Sequence, residues 1–132
     1  MTPEQAWWFD TLMKGELPPL PLGTKEAGVC LREALFEQYI RHARIQGVSH
    51  RAIETRIGIF LGKQLSAKLQ GRQPLVDNHQ VRCYKLPPLK DCRKLFSEKL
   101  GQPVDWGAAD WEKEEWHQGT SMRLMWSDGS AL

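Results

Sequence analysis

The sequence predicts one mainly α-helical domain that carries a small β-hairpin. Four segments place apolar residues at helical spacing, and one stretch holds two short apolar runs on either side of a polar tip. A chain of 132 residues is long enough to bury about two thirds of its unfolded surface in a single core. We therefore expect one domain over residues 1–106 and an acidic, Trp-containing tail over residues 107–132.

The first helix is predicted over residues 3–14. Thr2 has the side chain of an N-cap, Pro3 suits the first helical position, and Gln5 completes a capping box. Gly15 is the expected stop. A loop rich in Pro and Gly follows over residues 16–28.

The second helix is predicted over residues 30–46, because its apolar side chains recur on one face. Glu37 and Arg41 are an ion pair in the favourable i,i+4 order on the opposite face. Gly47 should end this helix, and Ser49 should cap the next one after a short turn.

The third helix is predicted over residues 50–69. Its inward positions recur at intervals of three, four and seven: Ile53, Ile57, Phe60, Leu61, Leu65 and Leu69. The opposite side carries a mostly polar strip: Arg56, Ile59, Lys63, Ser66 and Gln70. Gly58 and Gly62 are expected where another helix approaches closely.

A hairpin is predicted over residues 75–86, with Asp77 to Gln80 as its polar tip. Two prolines after it should introduce a last helix over residues 89–100, which Gly101 and Pro103 should end. The inward residues of that helix should be Leu89, Cys92, Leu95 or Phe96, and Leu100. Its outward residues should be Lys90, Arg93 and Lys94.

The charge of the chain is concentrated in one block. Residues 41–99 hold thirteen Lys or Arg against four acids, a net charge of +9, whereas the whole chain carries only +2. A helix, a turn, a basic helix and a hairpin are typical of small DNA-binding modules. The alternative is a solvated helix face that happens to be basic, but the surrounding charge favours nucleic acid.

The candidate DNA contacts fall into two groups. Four residues of the third helix should line the groove, where cations meet phosphates and polar groups meet base edges: Arg56, Lys63, Ser66 and Gln70. Five further basic residues should hold phosphates: Arg51, Lys68, Arg72, Arg82 and Lys85.

No set of residues predicts catalysis, a metal site or a cofactor. The segment Gly58 to Lys63 is one residue short of a phosphate loop, lacks the Ser or Thr that should follow the lysine, and lies in a helical pattern. The scattered histidines and the odd set of three cysteines, Cys30, Cys83 and Cys92, favour buried reduced thiols over zinc or disulfides. No apolar stretch predicts a membrane span or a signal peptide, so we expect a cytoplasmic protein.

Several short motifs resemble one family. They are Trp7-Trp8-Phe9 with Leu12-Met13, then Leu35-Phe36 with Tyr39, and above all the run from Arg82 through Leu86-Pro87-Pro88 and Leu100-Gly101-Gln102-Pro103 to Trp106. This pattern is similar to the C-terminal region of primase-helicases from phages and prophage-like mobile elements. The resemblance implies a winged-helix-like module that engages DNA during replication. No ATPase motif accompanies it in this chain.

The sequence therefore predicts a winged-helix-like, helix-turn-helix domain that binds DNA without catalysis, as duplex or single strand. The alternative is an adaptor whose Trp-rich tail and Pro-rich loop dock a replication helicase, primase or polymerase. We expect neither a membrane nor a small-molecule substrate among its partners.

Overall fold

The computed structural model describes residues 1–19, 28–49, 52–65, 70–74 and 80–118, and it gives only the backbone for residues 70–74, 80 and 81. Within these ranges four α-helices dominate: α1 Pro3–Lys14, α2 Arg32–Ile45, α3 Glu54–Leu65 and α4 Leu89–Leu100. The strands are β1 Glu16–Leu17, β2 Val29–Leu31, β3 Gln70–Pro74, β4 Gln80–Lys85 and β5 His117–Gln118. The prediction of a mainly helical chain with a small antiparallel sheet is confirmed.

Helix α1 begins and ends as its local chemistry predicts. The Oγ1 atom of Thr2 accepts a hydrogen bond from the Gln5 amide, and the Thr2 amide donates to Oε1 of Gln5. At the other end Gly15 takes a left-handed conformation, φ 66°, which glycine adopts without a steric penalty. The predicted bounds of α4 are likewise confirmed, and Gly101 ends that helix with φ 81°.

The sheet differs from the prediction in two places. Residues 29–31, expected to belong to the second helix or the loop before it, form β2, which pairs with β4 through Cys30 and Tyr84. Strand β3 covers residues 70–74, which were not predicted as a strand, whereas the predicted strand residues Leu75 and Val76 and most of the predicted tip lie outside the described ranges. The antiparallel sheet has the order β2-β4-β3, so β4 is its central strand.

The connection between α2 and α3 is longer than the predicted turn. Gly47 ends α2 as expected, with the Val48 amide bound to the Ala43 carbonyl at 2.9 Å. Ser49 does not cap α3, which begins only at Glu54, and Ile53 is 66% exposed instead of buried. The Ala52 amide donates to the Tyr39 hydroxyl at 3.0 Å, so a side chain of α2 fixes the entry to α3.

Aromatic side chains form much of the core. Trp7 packs edge-on against Tyr39 of α2, and Trp8 packs against Trp116. The buried side of α3 adds Ile57, Leu61 and Leu65. One core therefore joins α1, α2, α3, α4 and the segment that ends in Trp116.

Residues 107–118 pack against the helices. Trp106 and Trp116 are buried, and Trp111 is partly buried at the start of a short 3-10 helix, Trp111–Lys113. Strand β5 then pairs in parallel with β1, with Glu16 opposite His117. Across the described ranges, none of the helices has the length and apolar character needed to cross a membrane.

Candidate nucleic-acid interface

Helix α3 has four exposed residues, Thr55, Arg56, Ile59 and Lys63, and we call the last three, which were predicted to share one side, the α3 strip. The inner face of the same helix is buried through Ile57, Leu61, Gln64 and Leu65. Because a helix turns by about 100° per residue, the strip lies on the side opposite this buried set. The predicted exposure of Arg56 and Lys63 is therefore confirmed.

The two cations of the strip are available to an external anion. No ion pair among the described residues involves Arg56 or Lys63. The nearest acid in the helix, Glu54, lies at its other edge, beside the sheet. An exposed cation of this kind is the type of group that neutralises a DNA phosphate.

Arg82 and Lys85 are exposed on β4. Arg82 is the register partner of Arg72 in β3, so two arginines occupy one cross-strand position. Arg82 also lines a cleft of about 410 Å³ with Leu31, Arg32, Glu33 and Glu54. Two carboxylates therefore balance the charge of Arg32 and Arg82 there.

The strip and Arg82 do not meet on one side of α3. An ideal Cβ placed on Gly58 would lie 3.1 Å from the Tyr84 hydroxyl, so the Gly58 edge of α3 faces β4. Arg56 and Lys63 lie about 140° to 160° around the helix from that edge. The described residues thus give two separate surfaces: the α3 strip, and the charge-balanced cleft of Arg82.

The remaining predicted contacts are only partly described. Arg51, Ser66 and Lys68 lie outside the described residues. Gln70 was predicted on the third helix, but it begins β3, because the backbone there pairs with Tyr84 of β4. Arg72 is placed in β3 by its backbone alone.

Arg93 was predicted to point outward, and that prediction is wrong. Its side chain is only 1% exposed, and its guanidinium reaches carbonyl groups of α1 and of the C-terminal segment. The helical angle could have shown this, since Arg93 lies beside Leu89 and Leu100 on the apolar arc of α4. Arg93 therefore adds nothing to the exposed positive charge of the basic block.

The two glycines of α3 differ from the prediction. The described neighbour of Gly58 is not a helix but the side chain of Tyr84, which comes from a strand. No described atom lies within 4 Å of a Cβ built on Gly62. The segment Gly58 to Lys63 is helical, as its pattern predicted.

The three cysteines are free and buried, as predicted. Burial raises the pKa of Cys30 from 9.0 to about 12, with a further contribution from Cys83. Burial also raises the pKa of Cys92 to about 12, and Cys92 donates to the Pro87 carbonyl at 3.4 Å. Such thiols are poor nucleophiles. No group of three potential metal ligands occurs in the described part of the chain.

Comparisons of the chain with protein-family models, with curated proteins and with solved structures give no match. The function has therefore to be inferred from the surface and from the order of the elements. The most distinctive surface on α3 is the strip of two cations, without ion pairs to described residues, around one exposed isoleucine.

Proposed function

We propose that the chain is a non-catalytic DNA-binding module with a winged-helix arrangement, and that α3 enters the DNA. Apart from the two-residue strand β1, which pairs with β5 outside this sheet, the order α1, β2, α2, α3, β3, β4 supports the fold assignment. So does the pairing of β2 with β4, which joins the strand before α2 to the hairpin after α3. In this arrangement α3 is the recognition helix, and the hairpin strands β3 and β4 belong to the wing.

The exposure of the α3 strip is the observation that carries the proposal. The outer face of α3 presents two exposed cations that form no ion pair with any described acid. Placed in the major groove, which admits one α-helix, the same cations can neutralise phosphates along its rims. Arg82 and Lys85 then have a secondary role, since they lie on the sheet and not on the strip.

The biological setting is part of the same proposal. The motif from Arg82 to Trp106 resembles the C-terminal region of mobile-element primase-helicases, so we place the module in DNA replication in the cytoplasm. In that setting a replication helicase or primase is a further candidate partner.

A second candidate function is a protein adaptor, and one observation favours it. Ile45 is 81% exposed and Ile53 is 66% exposed, both near the connection between α2 and α3. Exposed large apolar side chains are common at protein interfaces. The separation of Arg82 from the α3 strip also gives this candidate more weight than the sequence did.

A salt titration of DNA binding tests the primary proposal. Binding of fluorescent duplex and single-stranded DNA is measured by anisotropy for the full chain, for Arg56→Ala/Lys63→Ala, and for Lys90→Ala/Lys94→Ala. The third protein is a matched control, because it loses the same charge from exposed positions on α4. Each lost phosphate contact should reduce the log–log salt slope by about 0.9 on duplex DNA.

We expect the α3 variant to lower the slope by about two and the α4 variant to leave it nearly unchanged. Circular dichroism should show that both remain folded. Equal loss in the two variants would mean that binding follows net charge and not the strip. A full chain without measurable, salt-dependent affinity would reject DNA binding and favour the adaptor.

A further inference from the structure

Ile59 is an apolar residue between two cations. It is 53% exposed, and it lies one turn from Arg56 on one side and one turn from Lys63 on the other. Residues at these spacings are neighbours on a helix surface, so the three side chains form one continuous patch. The patch thus combines one exposed apolar side chain with a cation on each side of it.

The protein core does not account for Ile59. It is neither one of the buried core residues nor one of the partly buried residues packed against them. Gly62, one turn away, has no described atom within 4 Å of a Cβ built on it, so packing does not explain that glycine either. The exposed side chain of Ile59 therefore lies beside a position, Gly62, where the helix has no side chain.

Duplex DNA offers one group that matches this patch. In the major groove the 5-methyl group of thymine is the only apolar feature of the base edges. Arg56 and Lys63 are seven residues apart, a rise of about 10.5 Å along α3, so both can reach phosphates while Ile59 faces the bases. Gly62 would let the DNA come close beside it.

Other nucleic acids fit less well. Single-stranded sites stack bases on aromatic side chains, and the α3 strip contains none. The deep and narrow major groove of A-form RNA does not admit side chains of a helix to its base edges. B-form duplex DNA is therefore the form that the strip favours.

We infer that the α3 strip reads thymine in the major groove of duplex DNA through contact between Ile59 and the 5-methyl group. This inference rests on the proposed DNA-binding function and deepens it, because it names the form of DNA and the group that is recognised. In this inference Ile59 contacts the methyl group, and Gly62 lets the DNA approach α3 closely enough for that contact.

Replacing thymine by uracil removes only the methyl group, and this gives the test. Binding of the full chain is measured on alternating poly(dA-dT) and on alternating poly(dA-dU), together with Ile59→Ala and Ile45→Ala. Ile45 is the matched control, because it is an exposed isoleucine on α2. We expect the full chain to bind the uracil duplex about threefold to fivefold more weakly, the effect of one lost apolar contact.

Ile59→Ala should bind both duplexes equally, while Ile45→Ala should keep the preference for thymine. Each protein is compared with itself on the two duplexes. If uracil weakened binding by changing the shape of the DNA, Ile59→Ala would still prefer the thymine duplex, and that result would overturn the assignment of Ile59 as the residue that contacts the methyl group. DNA binding without any thymine preference, or tighter binding to single strands, would overturn the inference and leave the proposed function intact. Absence of DNA binding would overturn both.

Discussion

Arg93 donates two hydrogen bonds to the main-chain carbonyl of Leu12, from Nε at 3.0 Å and from Nη2 at 2.8 Å. Nη2 also approaches the Met13 carbonyl at 3.4 Å. A helix leaves its last four carbonyls without partners, and its C-terminus carries partial negative charge. A buried guanidinium from α4 therefore satisfies the end of α1.

The other edge of the same guanidinium holds the C-terminal segment. Nη1 donates to the Trp111 carbonyl at 3.1 Å and to Oε1 of Glu114 at 2.7 Å. The group also lies 5.4 Å from the centre of the Trp106 ring. One side chain thus joins α1, α4 and residues 106–114.

Replacing Arg93 should therefore cost far more stability than its charge would on the surface. We expect Arg93→Ala to lower the free energy of unfolding by about 3–5 kcal/mol, because buried carbonyls lose their donors. Lys94→Ala is the control: Lys94 forms an ion pair with Glu112, but both side chains are about half exposed. Its cost in urea unfolding should be about 0–1 kcal/mol. Similar costs for the two would contradict the role assigned to Arg93.

The indole of Trp116 gives a second prediction. Its Nε1 donates to the Pro87 carbonyl at 2.8 Å, and its ring packs against Trp8. Trp116→Ala should cost about 3–5 kcal/mol through the cavity it leaves. Trp116→Phe keeps a ring but loses the donor, so its cost in thermal or urea unfolding should be about 1–3 kcal/mol. If the phenylalanine variant were as unstable as the alanine variant, the hydrogen bond would dominate instead of the packing.

The two glycines of α3 form a matched pair for a third prediction. Gly62→Ala should raise the free energy of unfolding by about 0.5–1 kcal/mol, since alanine favours helix and no described atom opposes its Cβ. Gly58→Ala should gain nothing or destabilise, because the buried Tyr84 hydroxyl lies 3.1 Å from the new Cβ. Equal stabilisation of both variants in urea unfolding would show that Tyr84 moves freely.

The buried thiols predict how stability changes with pH. The folded pKa of Cys30 and of Cys92 is raised by burial from 9.0 to about 12. Below pH 9 the thiols are protonated in both the folded and the unfolded chain, so their full contribution to the free energy of unfolding is present. As the pH rises from 9 toward 12 the unfolded chain ionises first, so stability falls by up to about 1.4 kcal/mol per pH unit per thiol.

Urea unfolding between neutral and alkaline pH measures this fall. Cys92→Ala should be less stable at neutral pH because of the lost packing, but its stability should fall less steeply above pH 9, the ordinary thiol value. An unchanged slope in that variant would mean that Cys92 ionises equally in the folded and unfolded chain.

The elements that the sequence predicted best are those whose boundaries depend on neighbouring residues. The capping box of α1 and the left-handed glycines after α1 and α4 act within one turn, so their residue types suffice. The start of α3 was mispredicted because it depends on a distant contact, the hydrogen bond from Ala52 to Tyr39. Strands β2 and β3 likewise exist through pairing with β4, which no local pattern shows.

The candidate site divides in the same way. The exposure of Arg56 and Lys63 follows from their angular position on α3, which helical periodicity alone predicts. The surroundings of Arg82 are set by the acids of α2 and α3 that the fold brings to β4. The helical angle of Arg93 placed it on the apolar side of α4. The carbonyl of Leu12 that helps to make its burial favourable lies 81 residues earlier in the chain, so no local pattern indicates it.

The parallel pairing of β1 with β5 has a consequence for synthesis on the ribosome. The Gly15 carbonyl accepts a hydrogen bond from the His117 amide, and Glu16 pairs with the same residue. The first helix is therefore translated long before the residues that secure its end. Closing so long a loop is entropically costly, so we expect the chain to remain protease-sensitive at α1 until residue 118 has emerged.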